Sequence, residues 1–219
     1  MAELPSTRVV GAYLRAFEHI VQAGFIQDVN WARALASVRP DRGYVVSEAA
    51  WVIVNSGFRY QVARRMWPSL LKAASGFDVS KMLKSRQETK RCMLAVLNYP
   101  RKIDAILAIA ELSEGEGWKQ IVQDAKEPTK LQRLPFIGPT TCFHLAKSLG
   151  TDCVKPDVHL RRAAAAAGYE TPLALCEAIR CEADVRRSRL VLVDIVLWRY
   201  GEQQASRGWP PWEELFRER

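Results

Sequence analysis

No CxxC pair occurs anywhere in this chain, and its five cysteines (Cys92, Cys142, Cys153, Cys176 and Cys181) are scattered and odd in number. That pattern argues against a disulfide framework and fits reduced thiols. The three histidines are equally dispersed, so a zinc or iron–sulfur site has no ligand set to draw on and no metal is expected. No hydrophobic run approaches membrane-spanning length, and the first ten residues, MAELPSTRVV, hold no apolar signal core. A cytoplasmic protein with no membrane partner is the expectation. No segment alternates cleanly enough to be a strand, and there is neither an internal repeat nor a low-complexity tract. Disorder is excluded too, because 48% of residues are hydrophobic and 26% charged.

What remains is helix. Val10, Tyr13, Leu14, Phe17, Ile20 and Val21 follow the i, i+3, i+4, i+7 spacing, which predicts an amphipathic helix over 8–23 ending at Gly24. Ser47 is placed to cap a buried helix, SEAAWVIVNSG, stopped by Gly57. A basic helix interrupted by Pro68 follows, then helices in DVSKMLKSRQETKRCMLAVLNYP, PRKIDAILAIAELSEG and GWKQIVQDAK. Beyond residue 162, TPLALCEAIRCEA and RRSRLVLVDIVLWRYGEQQ read the same way. About ten helices with short connections predict an all-α fold.

Charge is unevenly spread. The net charge is +8, which points toward a polyanion such as nucleic acid. Residues 59–91 hold nine Lys or Arg against two acids, while 103–129 hold six acids against two Lys. Each block alone is explained by a solvated helix face. Together they predict one face suited to phosphates and another turned away from them.

One stretch carries more chemistry than the rest. In EPTKLQRLPFIGPTTCFHLAKSLG, a helix over about 127–134 stops at Pro135, Gly138 lies in a tight turn, and Pro139 opens a second helix at N1. Cys142, Leu145, Ala146 and Leu149 give that helix a buried face. Thr140, His144 and Lys147 share the opposite face. Such a hairpin can hold a phosphate on its backbone amides, or it can simply pack. It is followed by VKPDVHLRR, in which Asp157 precedes a basic helix. Asp157 reads either as a helix N-cap or as the one acid of a cationic site, and the two roles are compatible.

LPFIGPTTCFHLAKSLG…VKPDVHLRR resembles the helix-hairpin-helix motif and following aspartate of the DNA glycosylase superfamily that includes endonuclease III. The likeness extends more loosely over residues 45–205, where SEAAWVIVNSGFRYQVARRMWPSL is similar to the family's buried helix, DNA-probing loop and following helix. The resemblance implies a helix-hairpin-helix glycosylase fold with two helical subdomains flanking a DNA- and base-binding cleft. One would cover about 25–154 and end in the hairpin motif (127–149); the other would join 1–24 to 155–219 and carry the catalytic aspartate. It also implies a monomeric enzyme that binds double-stranded DNA containing a modified base, flips that base out and hydrolyses its N-glycosidic bond, with no cofactor. Asp157 would be the catalytic residue, stabilising positive charge on the sugar and orienting water. Asn55, Phe58, Tyr60, Thr140 and His144 would form the wedge and base pocket. Arg59, Arg64, Ile137, Gly138, Thr140, Lys147, Lys155, His159 and Arg161 would contact DNA.

Three departures qualify the likeness. Phe136 replaces the first hairpin glycine, Thr140 occupies the position of the lysine that gives some relatives lyase activity, and LVLVDIVLWRYGEQQ lacks the cysteines that hold an iron–sulfur cluster in some relatives. A monofunctional glycosylase follows. The rivals are a lyase using Lys147 or Lys155, an enzyme that removes hypermodified bases from phage DNA in antiviral defence, and a non-catalytic DNA-binding module. For Lys147 a solvated or phosphate-facing side chain is the plainer reading, and for His159 a structural or phosphate contact. Trp51, Trp67, Trp118 and Trp198 read as core, His19 as helix surface, and the tail RGWPPWEELFRER as folded back on the body.

Overall fold

The computed structural model describes residues 5–181 and 189–217. The last two residues of the helix expected over 171–183, and the first three of that expected over 186–204, therefore lie outside the described residues. So do the first four of MAELPSTRVV. The helices are α1 (Ser6–Gln22), α2 (Ile26–Ala34), α3 (Arg42–Asn55), α4 (Tyr60–Ala73), α5 (Val79–Lys84), α6 (Arg86–Val96) and α7 (Pro100–Leu112). They continue with α8 (Gly117–Asp124), α9 (Thr141–Ser148), α10 (Val158–Ala167), α11 (Pro172–Arg180), α12 (Leu190–Arg207) and α13 (Trp212–Leu215). Among the described residues there are also three short 3-10 turns, at Leu35–Ser37, Ser75–Phe77 and Pro128–Arg133. The described chain is all-α, and none of its helices is long and apolar enough to cross a membrane.

Several boundaries differ from expectation, each for a local reason. Asp41, not Ser47, caps α3: its Oδ1 accepts from the Tyr44 N–H at 2.8 Å, and the helix starts a turn and a half earlier. Pro68 does not interrupt α4, because the ring lies on the exposed side while Ala63 and Leu70 anchor the helix beneath. The stretch from 79 to 96 is two helices, broken at Ser85 (φ −122°, ψ 45°). The inward face of α1 is rotated slightly, since Val9, Ala12 and Ala16 are fully buried while Leu14 is 49% exposed.

The chain divides into two compact units, Met1–Ser37 with Asp152–Arg219 and a central Val38–Thr151. The central unit thus begins after α2 and ends at Thr151, whereas the sequence reading put these borders at 24/25 and 154/155. In the discontinuous unit, α1, α10, α11 and α12 share a core that includes Ile20, Leu160, Cys176, Val196 and Tyr200. Gly201 permits the close approach of α12: a Cβ there would fall 3.0 Å from the His159 Cβ and 3.1 Å from the Trp212 ring. The tail does fold back over its described residues, 207–217, its last two residues lying outside them. Trp212 and Phe216 are buried, and the Leu215 carbonyl accepts from Arg15 at 2.6 Å. Each large side chain so buried contributes about 1.5–3 kcal/mol. The His19 ring lies against those of Tyr200 and Trp209, at centroid distances of 5.6 and 5.3 Å, rather than free on the surface.

In the central unit, α3 is the buried spine, with Val45, Val46, Ala49, Ala50, Val52, Ile53 and Val54 all inside. α7 packs along it and α9 lies against it. Trp51 meets Trp67 edge-on at 5.1 Å, and Trp67 stacks on Phe77 at 5.5 Å, which makes both tryptophans packing residues.

Candidate active site

Asp157 sits at the N-cap of α10, with extended backbone (φ −90°, ψ 179°). Its Oδ1 accepts from the N–H groups of His159 (3.0 Å) and Leu160 (3.2 Å), so the capping role is real. Its Oδ2 faces the Lys155 ammonium at 3.5 Å, and the Asp157 side chain is only 10% exposed. Lys155, expected on a phosphate, is thus engaged by this carboxylate.

The segment leading to Asp157 is strapped to α12 at two points. Asp152 accepts from the Val191 N–H at 3.0 Å, at the start of α12, and Arg189 and Arg180 lie 3.6 and 4.0 Å from the same carboxylate. In return Asp194, a buried acid on α12, accepts from the Lys155 N–H at 2.5 Å. Sequence reasoning did not find Asp194; its only signal was an acid inside the apolar run LVLVDIVLW. His159 packs beside Gly201 on α12, which favours the structural reading of that residue. Arg161 is exposed, and its Nε donates to the Pro156 carbonyl at 3.0 Å.

The hairpin belongs to the central unit and departs from expectation at both arms. The first arm is the 3-10 turn Pro128–Arg133, and α9 begins at Thr141, so Pro139 lies in the turn and not at N1. The physical reason is Thr141: its Oγ1 accepts from the Gly138 N–H at 2.7 Å, an arrangement that closes the turn before the helix starts. Thr140, the N-cap residue, is exposed and makes no capping hydrogen bond. Ile137, expected among the DNA contacts, is buried, and its N–H donates to the Leu134 carbonyl. The expected inner face of α9 is buried as described, but burial runs further round. Lys147 is 3% exposed and Ser148 1%, so Lys147 is not the solvated lysine anticipated. α3 lies against this two-turn helix, and its Tyr44 hydroxyl donates to the Ser148 carbonyl at 3.0 Å. Burial pushes the Tyr44 pKa up to about 12, with the charge of Glu48 adding to it, and burial likewise raises that of Glu48 itself. His144 is partly exposed.

Phe136 has φ +67°, the left-handed region that a glycine enters at no steric cost. The backbone there takes a conformation that glycine favours although the residue is phenylalanine. Its ring meets Tyr99 edge-on at 6.2 Å.

The loop after α3 turns at Gly57 (φ +77°), with Asn55 and Phe58 half-buried and Arg59 exposed. Tyr60 opens α4 and contacts the Trp51 ring, which makes it partly a packing residue. Beneath this loop lies a residue that sequence reasoning missed. Lys102 on α7 is 2% exposed, and its ammonium donates to the carbonyls of Ser56 (2.5 Å) and Val54 (3.1 Å). The same nitrogen lies 4.3 Å from the centroid of Phe58, 5.4 Å from Tyr99 and 5.8 Å from Phe136. Burial lowers its pKa from the ordinary lysine value.

The charge blocks do not remain segregated as expected. Arg86 pairs with Glu111 and Lys90 with Asp104, joining the basic block to the acidic one across α6 and α7. Lys81 and Arg91 pair with Asp78 and Glu88. Arg59, Arg64, Arg65, Lys72 and Lys84 are exposed and form no ion pair with a described residue, so four of the five free cations of this block lie on α4 and its leading loop and the fifth at the end of α5. No protein-family model, no curated protein and no solved structure matches this chain.

Proposed function

We propose that this protein is a monofunctional DNA glycosylase of the helix-hairpin-helix type, with Asp157 as its catalytic carboxylate. The observation that carries the reading is the setting of Asp157. Oδ1 is fixed by two backbone amides and Oδ2 stands beside a single ammonium, so a negative charge is held in a defined orientation inside a cationic stretch. A purely DNA-binding surface gains nothing from such an anion, because it would repel phosphates. A cation developing on a sugar ring is what a fixed carboxylate stabilises, and its free lone pairs orient the attacking water.

Other features fit the same chemistry. The α9 N-terminus carries no side-chain cap and ends in an exposed Pro139–Thr140 turn, an arrangement suited to a phosphate oxygen. The unpaired arginines of α4 and its loop supply non-specific backbone affinity. The Gly57–Phe58 turn offers an aromatic wedge to fill the stack when a base leaves it. Thr140 offers no amine for a Schiff base, which favours simple hydrolysis over lyase chemistry.

The test is mass spectrometry of free bases released from alkylated, oxidised, deaminated and hypermodified phage DNA by wild type and Asp157→Asn. Release by wild type alone is the expected result and names the substrate class, repair or defence. Release from none, with duplex binding kept by both proteins, would replace the enzyme with a binding module.

A further inference from the structure

We propose that Lys102 is a positioning residue, which locks the Ser56–Arg59 turn and the Phe136 corner into one preformed DNA-contacting surface; this rests on the glycosylase reading above.

Several local rules are broken at one place. Lys102 lies in the first turn of α7, where its own helix dipole opposes a positive charge. It is almost fully buried, which a lysine resists unless its donors are used. Phe136 holds a left-handed backbone that costs any residue with a Cβ. Such conflicts between local preference and tertiary placement concentrate where function requires them.

The compensation is specific. The ammonium reaches the C-terminal end of α3, where the dipole is negative, and donates to one carbonyl on each side of Asn55. Phe58, in the turn, and Tyr99 and Phe136, from two further segments, present their rings to the same nitrogen. One charge therefore contacts the candidate wedge and the hairpin corner at once, though they lie 78 residues apart in sequence. An apolar side chain at 102 would fill the space equally well. It would not hold the carbonyls of the turn, and the turn would sample other paths. If the competent path fell to about one tenth of the population, apparent affinity would weaken about tenfold, because the apparent Kd is the intrinsic value divided by that fraction.

The experiment uses the full chain as wild type, Lys102→Met and Lys102→Arg. Amide hydrogen exchange is followed at 56–59 and 136–138, alongside anisotropy titration with a duplex carrying a tetrahydrofuran abasic-site analogue. Expected are faster exchange in both segments and about tenfold weaker binding for Lys102→Met, with partial rescue by arginine. Unchanged exchange, or a Kd within about twofold of wild type, overturns the inference. Should Lys102→Met fail to fold, Phe58→Leu removes only the ring nearest the ammonium. Faster exchange at 136–138, remote from the wedge itself, supports the proposal in that variant, and unchanged exchange there overturns it. A wild type that binds no duplex overturns both this inference and the glycosylase reading, whereas wild-type binding with an unaffected Lys102→Met overturns this inference alone.

Discussion

Asparagine at position 157 keeps an oxygen able to accept from the His159 and Leu160 amides, but it carries no charge. Alanine loses both. The structure therefore separates two contributions that sequence reading left entangled. Asparagine ranks with aspartate as an N-cap, so Asp157→Asn should cost only a few tenths of a kcal/mol through the cap. Loss of the contact to Lys155 adds at most about 1 kcal/mol, since that lysine retains some access to water. Asp157→Ala forfeits the cap as well, a further cost of about 1 kcal/mol. For a chain of this length that difference lowers the melting temperature by about 2–4 °C relative to the asparagine variant. Base release behaves differently, because it depends on charge: both variants should fall by at least about a hundredfold. Thermal melts and base-release rates on the same preparations provide the check. An asparagine variant that releases base at more than about a tenth of the wild-type rate would reduce Asp157 to a cap. An asparagine variant that melts with the alanine variant would mean that the two Oδ1 hydrogen bonds contribute nothing.

Glu48→Gln should raise the melting temperature at neutral pH, because burial holds the Glu48 pKa above its unfolded value and ionisation then favours the unfolded chain. The gain should vanish as pH falls below the ordinary glutamate value of 4.5, where both states are protonated; melts across that range test it. Pro68→Ala restores an N–H able to donate to the Arg64 carbonyl and should stabilise the protein by about 1–3 kcal/mol, measured by urea unfolding. Arg64→Gln removes one unpaired cation and should flatten the slope of log affinity for duplex DNA against log salt by about 0.9, with no change in melting temperature.

Local spacing was sufficient for the helices themselves. The all-α class and the inner face of α9 at Cys142, Leu145, Ala146 and Leu149 follow from the periodicity of apolar residues, and the returning tail from its load of large apolar rings. The cap at Asp157 was legible for the same reason, since a cap depends on atoms two and three residues away. Competition between nearby signals explains the misplaced starts: Asp41 outranked Ser47, and Thr141 closed the hairpin turn ahead of α9. Contacts between distant segments have no such signature. Asp194 bonds to an amide 39 residues away, Lys102 to a carbonyl 48 residues away, and Arg86 neutralises Glu111 across two helices. Composition and periodicity thus determined which stretches coil and which faces turn inward, because those depend on neighbours along the chain. Only the tertiary structure decided where each buried charge finds its partner, because desolvation penalises a charge by its surroundings and not by its place in the sequence.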